Sequence, residues 1–402
     1  MSDFIAIESE AQLAEVIAAA TGALNIVGRG TKRGFGRPMI GSRIVSLAGL
    51  AGITAYEPEE LVLDAKAGTP VADITKALAE SRQELAFEPP DLGPLLGAAP
   101  DSGSIGGAIA CNLAGPRRIK AGGARDHLLG FSAVSGRGEI FKAGGRVVKN
   151  VTGYDLCKLM AGSFGTLAVM TMLSLKVLPA PEKVRTLLLF DLSRAAAWTA
   201  MTQALASGHE VSAAAYVPAA LSATLDEPRV GAGFSVTALR VEGPARSVQD
   251  RLAGLRKILG GRTEDLHTKS SSAFWRRIGD VQPFVGDARA VWRISVPPQG
   301  GLAVAEAVEK LPGADMFFDW GGALAWVAVP DIDGASADII RASVAAAGGG
   351  HATLVRAAPA TRALVPPFQP PPAPLAALER RIKEVFDPKN ILNPGRMWPG
   401  ES

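Results

Sequence analysis

Leu13, Val16, Ile17 and Ala20 recur at helical spacing behind Ser9, whose hydroxyl suits an N-cap, and predict an amphipathic helix at the start of the chain. The apolar run 24–27 reads as a strand that ends in a glycine-rich turn. Short strands are expected at 43–47, 53–56 and 61–65. Thr69 and Pro70 then open a helix, with Pro70 at its first position, Asp73 in its first turn and Val71, Ile74 and Leu78 as its buried stripe. Strands at 128–134 and 139–143 form a hairpin about residues 136–138. Residues 150–153 lead into a helix carrying Leu156, Leu159 and Met160, and 167–178 is a long apolar strand closed by Pro179 and Pro181.

Beyond that break, one order of elements occurs twice. The first half predicts strand 184–190, helix 193–207, strands 211–217 and 234–241, helix 244–259 and a weak strand near Asp265. After a helical insertion at 274–278, the second half predicts strand 290–296, helix 302–311, strands 315–320 and 323–329, helix 335–347 and strand 351–356. Each half is a βαββαβ unit, and two of them make one antiparallel sheet with helices on one face and the other face free to cover a cofactor. The Pro- and Ala-rich stretch 359–374 is a linker without periodicity, followed by a helix at 375–386. The final FDPKNILNPGRM carries Pro388, Pro394 and Gly395, which fix an irregular path expected to dock on the first domain. The expected domains are 1–181, 182–357 and 358–402.

Composition changes this picture little. Apolar residues make up 48% and charged residues 20%, a normal folded balance, and 42 Lys plus Arg against 39 Asp plus Glu leave +3, too little to argue for nucleic acid. Eight basic residues from Arg117 to Lys149 form a run that suits either a solvated face or a surface meeting an anion. With only Cys111 and Cys157, the chain builds neither a disulfide framework nor a four-cysteine cluster, so any iron-sulfur centre belongs to a partner. Its four histidines are far apart, and no metal site is expected. With neither a leader pattern nor an 18-residue apolar run, the reading is a cytoplasmic protein that meets a membrane only through partners.

The candidate chemistry lies in two glycine-rich stretches. Residues 101–112, DSGSIGGAIACN, read as a loop made to lie against a flat ligand: Gly103, Gly106 and Gly107 remove side chains while Ser102 and Ser104 supply hydroxyls. A glycine turn opening a buried helix has the same pattern, and the residues leave both readings open. Upstream, Gly28, Arg29, Gly30, Thr31 and Lys32 follow a strand, but Phe35, Gly36 and Pro38 interrupt any helix, which excludes a Rossmann fingerprint or a Walker loop. Successive amides with Thr31, Arg29 and Lys32 beside them can still cradle a pyrophosphate. An ordinary surface loop accounts for them too. Cys111 reads as a small core residue.

These two stretches, with KNVTGYD, GSFGTLAVMTMLSLKVLP and the terminal FDPKNILNPGRM, resemble the FAD-dependent enzymes of the vanillyl-alcohol oxidase type over the first 180 and last 20 residues. Within that group, VVKNVTGYDLCKLMAGSFGTLAVMTMLSLKVLP and the AGPRR element are similar to the E-subunit family of bacterial glycolate oxidase. The resemblance implies an α+β chain: a PCMH-type FAD-binding domain of two α/β subdomains plus a ferredoxin-like cap. It implies that Gly28, Arg29, Gly30, Thr31 and Lys32 hold the FAD pyrophosphate and that Ser102, Gly103, Ser104, Ile105, Gly106 and Gly107 run along pyrophosphate and flavin. Ala110 and Asn112 would sit near the isoalloxazine, and Gly162, Gly165, Thr166 and Val169 would contact flavin and adenosine. Thr31 and residues 99–102 lack the His or Cys of covalent relatives, so noncovalent FAD is expected.

The implied activity is oxidation of glycolate or another 2-hydroxy acid. The implied partners are a second FAD-binding glycolate oxidase subunit and an iron-sulfur subunit. His351 and Arg356 are the catalytic candidates in the cap, and a structural role suits them equally. A non-catalytic electron-transfer or assembly subunit and a stand-alone sugar or alcohol oxidase are the alternatives.

Overall fold

The Ser9 hydroxyl accepts a hydrogen bond from the Gln12 amide at 3.1 Å and starts the Glu10–Ala18 helix, which buries Leu13 and Ile17. In the computed structural model, which describes residues 4–39, 43–146, 153–230 and 233–399, this helix packs on a parallel sheet ordered Phe4–Ala6, Arg43–Ser46, Leu24–Val27. The described residues of 1–113, 122–180 and 366–402 form one compact unit, and 114–121 with 181–365 form a second.

The first unit holds another sheet, antiparallel and ordered Ile53–Glu57, Val62–Lys66, Ala168–Lys176, Leu128–Ser135, Ile140–Gly144. Leu63, Leu173 and Leu175 from its strands pack against Ile74 and Leu78 of the Val71–Glu80 helix and Ile105 and Ile109 of the Ile105–Ala110 helix. Pro70 caps its helix rather than filling the first position. The central stretch is likewise not a plain loop. Ser104 Oγ accepts from the Gly107 amide at 3.3 Å and caps a short helix, which is held close because Gly106 has no Cβ to strike Ala67. The expected lead-in at 150–153 lies, up to residue 152, outside the described residues.

The C-terminal motif returns to this unit. Asn393 N donates to Leu24 O at 3.0 Å, its Oδ1 accepts from Ile26 N at 2.8 Å, and its Nδ2 donates to Phe164 O at 2.8 Å. Asp387, buried, accepts from the Ile391 and Leu392 amides while Lys383 pairs with it and donates to Thr166 O. These bonds tie the tail to the strand and turn that carry the first glycine loop.

The second unit is one eight-stranded antiparallel sheet, in the order Thr263–Leu266, Lys183–Phe190, Val236–Gly243, Ala213–Val217, Asp315–Asp319, Leu324–Val329, Ala290–Ser295, His351–Arg356. In chain order each half reads 4-1-3-2, the ferredoxin-like arrangement expected from two βαββαβ units, joined by the second strand of each. The helices Arg194–Ala206, Ala245–Leu259, Gly301–Glu309 and Ala337–Ala346 cover one face around Trp292, Leu239 and Phe318. The opposite face is not bare as expected: the Thr268–Gly279 helix buries Phe274, Trp275 and Ile278, and Trp275 Nε1 donates to Thr186 Oγ1 at 2.7 Å. The expected linker also contains a helix, Pro359–Leu364, steadied by Thr361 Oγ1 donating to Asp331 at 2.7 Å. Among the described residues no helix is long and apolar enough to cross a membrane.

Candidate active site

Strand Leu24–Val27 delivers Gly28 to Lys32 against the N-terminal end of the Ile105–Ala110 helix, and between them opens a cleft of about 730 Å³, counting its mouth. Gly30 adopts φ +79° to turn the chain. A Cβ on Gly28 would stand 2.3 Å from Ser104 Oγ, and one on Gly107 would stand 3.2 Å from that oxygen and 3.7 Å from Lys32 Nζ. The glycines therefore leave a channel of backbone amides with one ammonium aimed at it.

Lys32 is the strongest electrostatic feature. Burial pushes its pKa down, and its hydrogen bond to Thr31 Oγ1 is long at 3.4 Å, so the ammonium has donor capacity left for an anion. Arg29 is fixed beside the turn by donating to Ser102 O at 3.1 Å. Cys111 lines the cleft instead of the core expected for it, since the helix that carries it faces the turn. Burial raises its thiol pKa, against the pull of Lys32 and Arg396, so it stays protonated near neutrality. Arg396 donates to Lys32 O at 2.8 Å and Phe35 O at 2.7 Å, fastening the tail to the far side of the turn. Phe164 lines the cleft and packs behind it with Phe35, Phe368 and Trp398, its centroid 4.8 Å from that of Phe368.

Of the residues singled out in the sequence, Gly28, Arg29, Gly30, Thr31, Lys32, Ser104, Gly106, Gly107, Ala110, Gly165 and Val169 line this cleft. The others do not. Ile105 is fully buried under the helix, Ser102 Oγ donates to Ala99 O at 2.5 Å, and Thr166 Oγ1 donates to Ser163 O at 2.7 Å. Gly103 lies beside Lys32, while Asn112 accepts from Arg125 N at 3.2 Å and abuts Gly162. Asn393 and Arg396, which line the cleft from the tail, were not singled out, although their motif was expected to dock here.

His351 and Arg356 stand at opposite ends of one strand and do not share a site. His351 is exposed, and the Arg356 guanidinium donates to Arg289 O and Phe284 O, at 2.8–3.0 Å, which is structural work. The basic run also divides: Arg117 pairs with Glu242 at 3.2 Å and Arg118 stacks on Trp320, both within the second unit, while Arg146 pairs with Glu57 and Asp64 in the first. Among the described residues no group of three or more His, Cys, Asp or Glu is placed to hold a metal.

A glycine channel with a half-buried ammonium and the Phe164 ring suits a long dinucleotide, and the family models agree: residues 2–144 match an FAD binding domain and 372–397 match the C-terminal domain of FAD linked oxidases. Over 376 residues the chain is 34% identical to glycolate oxidase subunit GlcE of Escherichia coli (strain K12), covering 93% of this chain and 92% of that one. The chain belongs to the glycolate oxidase subunit GlcE family. Glycolate oxidase subunit GlcD of Bacillus subtilis (strain 168) is 34% identical over 192 residues, 48% of this chain and 37% of that protein. Two solved structures show the fold: p-cresol methylhydroxylase with substrate bound (TM-score 0.69, 14% identity, 99% of this chain and 88% of that one) and 4-ethylphenol oxidase from Gulosibacter chungangensis (0.69, 15%, 98% and 89%). This GlcE-family chain is an FAD-dependent oxidoreductase subunit with a PCMH-type fold.

Proposed function

We propose that this chain binds FAD noncovalently as one subunit of a glycolate (2-hydroxy acid) dehydrogenase, and that it works beside a second, GlcD-like FAD-binding subunit and an iron-sulfur subunit. The observation that carries this is the Lys32 ammonium, half-buried among glycine amides, in a chain similar to GlcE over nearly all its length. In this reading the amides of Gly28 and Gly30 and the Lys32 ammonium hold the pyrophosphate, as charge-assisted bonds to anions do, while Gly107, without a side chain, lets it come close. Gly165, Val169 and the Phe164 ring bear the flat part of the molecule. When bound, FAD supplies the acceptor for a hydride from the carbon that bears the substrate hydroxyl. Residue positions that carry a covalent flavin in relatives hold Thr31 and, at 99–102, no Cys or His, and the Cys111 thiol is kept protonated, which supports noncovalent attachment.

A specific observation favours a second reading, electron transfer without substrate chemistry. Among the described residues no histidine, carboxylate or tyrosine lines the cleft, and an alcohol oxidation needs a base for the hydroxyl proton. Anaerobic addition of glycolate to the purified, FAD-loaded chain separates the two. Bleaching of the flavin absorbance places substrate oxidation in this subunit. A flavin that stays oxidised until the partner subunits are added rejects that placement and leaves electron transfer.

A further inference from the structure

The second unit carries an arginine pair that neither its core nor its ion pairs explain. Trp320 is buried, and two guanidinium groups lie over its ring, Arg118 at 4.6 Å and Arg293 at 4.9 Å from the centroid. The indole is held on three sides. Its Nε1 donates to Gly115 O at 3.0 Å, its backbone N donates to Asp319 Oδ1 at 2.7 Å, and its φ of +52° is a left-handed value that costs a bulky residue about 1–3 kcal/mol. Flanking bonds and the glycines at 321 and 322 hold this conformation in place.

Sheet register puts Arg293 on the face away from the helical core. It stands opposite Trp326, while its neighbours Trp292 and Ile294 fill the core. On the same face Glu242 is shared by Arg117 and Arg240, at 3.2 and 3.4 Å, so that carboxylate is already divided between two cations. Asp319 is the acid whose charge reaches Arg293, and it also serves the Trp320 amide. Burial, and after it the positive charge of Arg118, pushes the Arg293 pKa down to about 10. Two like charges held over one ring, Arg293 partly buried and Arg118 exposed, are unfavourable alone and become favourable when an anion joins them.

We propose that Arg118 and Arg293, aligned by Trp320, form a binding site for a small carboxylate. Planar guanidinium forks match the two oxygens of a carboxylate, and stacking on the indole fixes the plane in which those forks lie. The inference rests on the substrate class proposed above and names the residues that would anchor it. Arg118 and Arg293 are positioning groups for the anion and carry no proton in the reaction.

The test uses the full-length, FAD-loaded protein and oxalate, a carboxylate that cannot be oxidised as glycolate is, with binding read by calorimetry. Wild type binds oxalate, Arg118→Met and Arg293→Met each weaken it at least tenfold, and Arg293→Lys recovers part of the loss. Arg262→Met, which removes a guanidinium stacked on Phe190 and Phe234 elsewhere in the unit, binds as wild type does. Arg118 is exposed, so its variant folds even if Arg293→Met does not. Unchanged oxalate binding in the Arg118 variant and in whichever Arg293 variant folds overturns the proposal, as does no oxalate binding by wild type. Inorganic phosphate displacing oxalate at equal concentration overturns the carboxylate assignment. Glycolate bleaching of the flavin is scored separately: oxalate binding that needs both arginines with a flavin that stays oxidised supports this site while refuting substrate oxidation by the chain. Bleaching with KM unchanged in both variants does the reverse.

Discussion

Gly106 and Gly107 are adjacent, both helical and both at the cleft, yet adding one methyl to each is expected to have opposite effects. A Cβ on Gly106 would lie 2.7 Å from both Ala67 Cβ and Ala67 O, against an ordinary contact of 3.4–4 Å. The helix must retreat, which also stretches the 2.8 Å bond from Gly106 N to Ala67 O. Overpacking of this kind costs about 1–3 kcal/mol and a weakened hydrogen bond about 1 more. The better helix propensity of Ala returns about 0.5–1 kcal/mol, leaving Gly106→Ala destabilised by about 1–3.5 kcal/mol. At about 2–4 °C per kcal/mol for a unit of this size, its FAD-free melting temperature falls by roughly 2–14 °C. A Cβ on Gly107 meets Ser104 Oγ at 3.2 Å and Lys32 Nζ at 3.7 Å, both movable, so Gly107→Ala keeps its stability within about 1 kcal/mol. Its methyl instead stands in the cleft, and FAD affinity drops at least tenfold. Thermal melts of the FAD-free proteins and flavin-fluorescence titrations measure both. A Gly107→Ala protein that binds FAD like wild type, or a Gly106→Ala protein that melts like wild type, refutes the geometry.

Three further outcomes follow from single groups. Lys32→Met removes an ammonium that burial disfavours, so the FAD-free protein melts at the same or a higher temperature while FAD binding is lost; a variant that retains FAD would remove Lys32 from the pyrophosphate site. Asp387→Ala strands Lys383 in a buried spot and frees two tail amides, for a loss of about 3 kcal/mol that Lys383→Met in the same chain partly restores; additive losses in that double-variant melt would contradict the pairing. Burial raises the Cys157 thiol from 9.0 to about 11, so its contribution is fully present below pH 9 and is lost as pH rises to about 11, at about 1.4 kcal/mol per unit. Melting temperatures of wild type and Cys157→Ala between pH 8.5 and 11 should therefore converge as pH rises, and parallel curves would refute the shift.

What the sequence made legible was local or periodic. The stretch at 28–32 was legible as a turn from its own glycines, and the doubled βαββαβ order of elements followed from alternation and helical spacing. What it hid was long-range. Asn393 bonds to Ile26 and Phe164, and Arg396 to Lys32 and Phe35, across more than 200 residues in each case, and no periodicity signals such a partner. The short helix at Ile105–Ala110 stayed one of two open readings for another reason: two glycines argue against a helix until Ala67 is known to press on one of them.

Trp292 and Arg293 put the same point in two neighbouring residues. Alternation in VWRIS shows that they face opposite ways, but not which face the helices cover. The fold gives Trp292 a closed core, where its Nε1 donates to Ala335 O at 2.9 Å, and it gives Arg293 a face shared with Trp320 and Arg118. Arg118 reaches that face only because residues 114–121, which follow the glycine-rich helix directly in sequence, fold into the second unit. The chain thus places its cofactor helix and half of its arginine pair within a few residues of each other, so a change in the 114–121 segment should alter anion binding without touching the cleft. Gly115→Val, at the residue whose carbonyl accepts the Trp320 indole N–H, is expected to weaken oxalate binding while leaving FAD affinity as it is. Loss of both together would mean that the segment supports the cleft rather than the arginine pair.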